Sequence, residues 1–425
     1  MKETPESGIA PGLAGEGAGV SIRRFPYPYR AMLGICSDLD GTPDRRTYWE
    51  TMRYMNTRDL TAMGDGLALE VGNTIYFDMP RGQFSYWNTD DAGRDMIRTM
   101  IRSGHVDCLH SFGDLAATRA HAGRALDELT RHGCDLEVWI DHAVAPSNFG
   151  TDIMRGSGDV PGAKAYHSDL TCGFGIRYVW RGRVTSVIGQ ETPRSLRGIW
   201  NRRHPVVSGK TVAKEGLKAF VGRVGSAKYS MHAENRVLRD ARLRDGRSVV
   251  EFIRSNPHWG GVSSADNSDG LADVLDAPML DTLVDREGVC LLYTHMGKIR
   301  NGSEPLPLRT RMALNRLSGY SREGKVLVTT TRRILGYCRA TGAARLSVST
   351  EGENTRIEIL ADGKDADGTS SADDLNGLTL YVSDPDRVRV RLNGDPVQDL
   401  VRNGPDHKGL RSVSLPWRPL VFPHQ

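Results

Sequence analysis

Two acids stand one residue apart in GICSDLDGTP, at Asp38 and Asp40, directly behind an apolar run that ends at Cys36. Three later apolar runs end in the same kind of residue. The 106–109 run leads to His110 and then Asp114, the 136–140 run to Asp141 and His142, and the 289–294 run to His295. Carboxylate and imidazole ligands delivered from separate strands suit a divalent metal such as zinc. A further carboxylate beside such a metal can deprotonate water, and a histidine across the pocket can protonate a leaving group or stabilise an oxyanion.

Those residues need a scaffold that gathers strand ends, and the chain's texture predicts one. Short apolar or β-branched runs at 32–36, 74–77, 106–109, 136–140, 176–180 and 289–294 alternate with segments of helical period at 48–56, 92–104 and 114–133. That alternation predicts parallel strands joined by helical crossovers, in which loops from several strands converge at the carboxyl ends. The stretch 186–280, rich in Gly, Arg and Ser, reads as long loops with one or two helices. Beyond 326, β-branched runs punctuated by Asp-Gly and Asn-Gly turns predict a small antiparallel β domain, a sandwich. The resulting division is a disordered leader over 1–28, a β/α domain over 29–325 and a β-rich domain over 326–425.

Composition narrows the partners. A net charge of +4 over 425 residues, with the arginines scattered, argues against a nucleic-acid ligand. No apolar run is long enough to insert in a membrane, and the N-terminal residues lack the apolar core of a secretion signal, so the expected location is the cytoplasm. The six cysteines, at 36, 108, 134, 172, 290 and 338, contain no CxxC spacing and read as free thiols. VVSGKT at 206–211 lacks the first glycine of a phosphate loop, because that position is His204. Neither HExxH nor GxSxG occurs.

The motifs resemble those of the polysaccharide deacetylase family of carbohydrate esterases. CSDLDG is similar to its first motif, with the two acids separated by Leu39; GHVDCLHSFGD (104–114) keeps the glycine, His105, His110 and Ser111 of its second; VCLLYTH resembles its late motif and ends at His295. The resemblance covers about residues 29–300 and implies a distorted β/α barrel of the glycoside hydrolase/deacetylase type. It also implies Asp38 as catalytic base, His295 as general acid, a divalent metal, zinc first, held by Asp40, His110 and Asp114, and removal of an N-acetyl group from an amino sugar. Asp114 stands where the family has a metal-binding histidine. The family's arginine-containing third motif is replaced by VWIDHAVAPSNFG (138–150), where Asp141 and His142 become substrate contacts, His142 also being an alternative ligand. Trp87 in FSYWN and Trp259 in PHWGG are candidates for stacking on a pyranose ring. Two rivals remain: a metal-independent glycoside hydrolase pairing Asp38 or Asp40 with Asp114 or Asp141, and a non-catalytic sugar-binding protein.

Overall fold

The apolar stretch AMLGICS forms the strand Ala31–Ser37, in which all seven residues are buried. Strands buried on both faces are characteristic of parallel sheets covered by helices. The computed structural model describes residues 19–39, 41–143, 145–196, 199–200, 205–257, 266–298, 306–361 and 372–424. They divide into two units, one of residues 29–335 with 419–425, the other of residues 1–28 with 336–418.

In the larger unit Ala31–Ser37 pairs in parallel with Val289–Thr294 along its length, with Val326–Val328 at its start and with Gly72–Ile75 at its end. From Gly72–Ile75 the sheet continues in parallel through Val106–His110, Val138–Ile140, Tyr178–Trp180 and Ser248–Phe252. Helices Arg45–Asn56, Asp91–Arg102 and Arg119–Arg131 are the predicted crossovers. Asp44 caps the first by accepting from the Arg46 and Thr47 amides, and Asp90 caps the second by accepting from Gly93.

One expectation is met in its coarser form here and one is corrected. The larger unit has the expected central, mostly parallel sheet, and no ladder among the described residues joins Ser248–Phe252 directly to Val289–Thr294. Leu238–Arg242 folds back antiparallel on Ser248–Phe252 and pairs along its edge. The 186–280 stretch is accordingly more than loops and helices, since it contributes both of those strands. Among the described residues, no helix is long and apolar enough to cross a membrane.

The smaller unit has two four-stranded sheets. One is antiparallel: Ser21–Arg23, Thr379–Tyr381, Ser412–Ser414 and Val401–Asn403. The other is mixed, because Asn354–Leu360 runs parallel to Val388–Leu392, which departs from the all-antiparallel expectation. Ile357, Ile359 and Val390 of the mixed sheet share a hydrophobic cluster with Leu380 and Val413 of the other. Ser21–Arg23 lies inside the segment expected to be a leader; its Arg23 side chain pairs with Asp406 at 2.9 Å, which ties it to this unit.

Two histidines of the larger unit are built into its interior. His105 meets the Ser103 hydroxyl at 3.0 Å, and His167 meets Thr171 Oγ1 at 2.7 Å and the Ser147 carbonyl at 2.8 Å. Burial pushes both rings from 6.5 to about 4, so both are neutral in the fold near neutral pH. The unfolded chain therefore takes up protons that the fold refuses as pH falls from 6.5 toward 4. Stability from this source is complete above that window and is lost through it, by roughly 3 kcal/mol at most for each histidine. Thermal melts across the window should show a falling transition temperature, and a flat profile would contradict the assignment.

Candidate functional site

Because the strands run in parallel, their carboxyl ends share one edge of the sheet, and the polar residues that follow them meet there. Asp38 comes immediately after Ala31–Ser37, and its amide donates to the Thr294 carbonyl at 2.9 Å, which fixes it beside the end of Val289–Thr294. His110 is the last residue of its strand and lies opposite Ile140.

The Asp38 carboxylate is wholly buried. Thr74 Oγ1 donates to its Oδ1 at 2.8 Å, and the Tyr76 hydroxyl donates to its Oδ2 at 3.1 Å. His110 Nε2 lies 3.2 Å from Oδ2 and His295 Nε2 lies 3.6 Å from it. Burial acts to raise the carboxyl, but His110, His295 and the charge of Arg254 outweigh it and hold Asp38 well below the ordinary range. Asp38 is therefore the ionised centre of the site.

His110 is buried too, and burial pushes it down to about 4 against the pull of Asp38. A neutral imidazole has one donor nitrogen and one acceptor nitrogen. Since Nε2 faces a carboxylate, the proton belongs on Nε2, and Nδ1 carries the lone pair. That Nδ1 is buried and, among the described residues, has no hydrogen-bond partner. The Tyr76 ring stacks on the imidazole at 4.5 Å and fixes its plane.

His295 has the opposite polarity. Its Nδ1 lies 2.6 Å from the Asp266 carbonyl, so the Nδ1 proton is committed there. Nε2 is then the nitrogen that gains or loses a proton, and it faces Asp38 and, at 3.5 Å, the Tyr293 hydroxyl. Such a nitrogen can deliver a proton to a leaving group.

Arg254 was not singled out in the sequence, because it lies in the stretch that reads as loops. It is buried, donates to Cys36 Sγ at 3.4 Å, and sits 4.3 Å from the Trp180 ring and 4.8 Å from the Tyr293 ring. The signal that could have found it is the run VVEFI immediately before it, a strand that ends in a cation. Cys36 and Cys108 lie nearby with sulfurs 3.9 Å apart, and all six cysteines are free thiols.

Asp114 and His142 form a pair at the half-exposed rim. His142 Nδ1 meets Asp114 Oδ1 at 2.7 Å, and this hydrogen bond, against some burial, holds the Asp114 carboxyl below its ordinary value. The His142 ring stands edge-on to His110 at 4.9 Å and to Tyr76 at 5.3 Å. The chain reaches Asp114 through a tight turn, with Ser111 at φ 49° and Gly113 at φ 105°. A Cβ on Gly113 would lie 2.3 Å from the Asp78 carbonyl oxygen, so only glycine fits there.

Asp141 is not placed for substrate contact. It is completely buried and accepts from Trp139 Nε1 at 2.8 Å, the Phe149 amide at 2.8 Å and the Gly150 amide at 2.7 Å. Burial pushes it up to about 7 against those three donors. Trp87 packs edge-on against Phe77 at 5.5 Å and Tyr86 at 4.9 Å, beneath Arg124. These contacts make it a packing residue. Asp40 and Trp259, together with Arg202, Arg203 and His204, lie outside the described residues.

The donors present suit a divalent cation in type, since imidazole and carboxylate are both zinc ligands and His110 Nδ1 is a buried lone pair. Among the described residues, however, no three His, Cys, Asp or Glu side chains form a ready-made metal-binding group. Set beside known proteins, the chain matches no protein-family model and no curated protein.

Proposed function

We propose that the chain is a carbohydrate-active hydrolase that removes an N-acetyl group from an amino sugar, on a distorted β/α barrel of the glycoside hydrolase/deacetylase type with a C-terminal β-sandwich. The observation that carries this reading is the buried, ionised Asp38, met from two other strands by His110 and His295. Asp38 takes the proton from the attacking water. Thr74, Tyr76 and the Arg254 charge keep it ionised and aimed. His295, with Nδ1 committed to the Asp266 carbonyl, gives its Nε2 proton to the departing amine.

The metal implied by the resemblance would be held by Asp40, His110 and Asp114, and would supply Lewis acidity to water and to the amide carbonyl. The glycosidase alternative draws no support from Asp141, whose oxygens are occupied by three structural donors. Acetate release from N-acetylated amino-sugar oligomers, measured with and without chelator, tests the proposal. Chelator-sensitive acetate release is expected. Release of reducing ends without acetate, indifferent to chelator, would replace it with the glycosidase.

A further inference from the structure

We infer that His142 is the second imidazole donor of the metal site, and that Asp114 is a positioning residue that acts through His142 rather than a ligand itself. This deepens the deacetylase reading and rests on it. Two rings share one pattern of contacts. His110 has one nitrogen on the Asp38 carboxylate, and His142 has one nitrogen on the Asp114 carboxylate. A carboxylate can only accept, so each ring places its proton on that nitrogen and its lone pair on the other: Nδ1 in His110 and Nε2 in His142. Metal-binding histidines are recognised by this arrangement, in which the second nitrogen donates to a carboxylate that sets the tautomer and the ring plane.

The separation agrees. Two imidazoles on one tetrahedral zinc, at Zn–N of about 2.0–2.1 Å, have ring centroids about 5 Å apart. The His110 and His142 centroids are 4.9 Å apart and their planes are nearly perpendicular, at 79°. Among the described residues His110 Nδ1 is also buried without a hydrogen-bond partner, and a buried acceptor without a donor is costly unless something else occupies it.

The loop under His142 is built to hold it. The His142 amide donates to Asn148 Oδ1 at 2.9 Å, and Asn148 Nδ2 returns hydrogen bonds to the carbonyls of His142 at 3.0 Å and Ala143 at 3.1 Å. Ala143 has φ 40°, a left-handed conformation that a non-glycine residue keeps only where its surroundings impose it. The adjacent Asp141 clasp fixes the other side. The carboxylate at 114, which as a histidine replacement looks like a lost ligand, is thus matched by an imidazole 28 residues later in the chain that it orients.

The test is Co²⁺ and Zn²⁺ binding by the full chain, followed by equilibrium dialysis and by the visible Co²⁺ absorption bands. Far-UV circular dichroism of each metal-free variant checks folding. His142→Phe should weaken Co²⁺ binding more than about 100-fold and shift the bands, and His142→Gln should do the same. Asp114→Asn should weaken binding by about 10- to 100-fold, the usual effect of an outer-shell partner, and leave the bands in place. Wild-type affinity and spectrum in both His142 variants, with loss of metal in Asp114→Ala, would make Asp114 the ligand and overturn the inference alone. A wild-type chain that takes up neither ion would overturn the metal reading beneath it.

Discussion

Replacing Asp38 by Asn is expected to lower acetate release by about 10²- to 10⁴-fold, the range supplied by a general base. The side chains are nearly isosteric, and although Asn keeps one acceptor oxygen where Asp38 has two, the Thr74 or Tyr76 hydroxyl that meets the new NH2 can turn to accept from it, so the loss reports chiefly the charge and the proton-accepting function. The substitution also acts on stability. Arg254 is buried, and Asp38 is the carboxylate whose charge acts on it. Breaking a buried ion pair by removing one partner costs about 3–5 kcal/mol, and because these two groups are not in direct contact this case belongs at the lower end. Adding Arg254→Met should return part of that stability, since it removes the stranded guanidinium, without returning activity. Rates of acetate release and thermal melts on the single and double variants measure both effects. An Asp38→Asn enzyme retaining more than about a tenth of wild-type activity would end the assignment of Asp38 as base.

Trp139→Ala should destabilise the protein by about 3–5 kcal/mol, the range for truncating a large aromatic in a core. Trp139 is fully buried, stacks on Phe149 at 4.8 Å, lies edge-on to Phe112 at 5.1 Å, and contacts His167 at 5.0 Å. Its indole N–H is one of the three donors that secure Asp141. Trp139→Phe keeps most of the packing and removes only that donor, for which about 1–2 kcal/mol is expected. Urea denaturation separates the two: the midpoint should fall in the order wild type, Phe, Ala, with the slope unchanged. A midpoint for Trp139→Ala within error of wild type would show that the cluster is not the support of this loop.

The strand ends were legible because a parallel sheet needs apolar runs of strand length, and such runs stand out against helical period. Asp38, His110 and His295 follow three of them and meet, as the spacing of the runs suggested. What a run cannot disclose is which way a following side chain turns. Asp141 follows its strand as Asp38 does, yet it points back to backbone amides while Asp38 faces histidines, and the two are indistinguishable by type. Arg254 was missed because Ser248–Phe252 is only five residues long and follows a Gly-Arg-rich hairpin. The antiparallel return of Leu238–Arg242 was illegible for a related reason, as it depends on pairing and not on local pattern. Ser21–Arg23, three residues without a run of their own, become a strand only through a partner far along the chain.

That last strand has a consequence for the order of assembly. Residues 21–23 leave the ribosome long before their partner, residues 379–381, is made. The closing residues cross over in the same manner: Phe422 packs on Trp49 at 5.0 Å, and the Leu420 amide donates to Glu70 at 2.9 Å. Each unit therefore waits for a segment distant in sequence, and pairings of such long sequence separation are slow to form. A fragment cut at the apparent boundary near 326 would lack the tail that covers Trp49, and the β-rich fragment would lack its edge strand. Excising either unit intact means carrying its distant terminal segment along, by fusion or by supplying it as a second peptide.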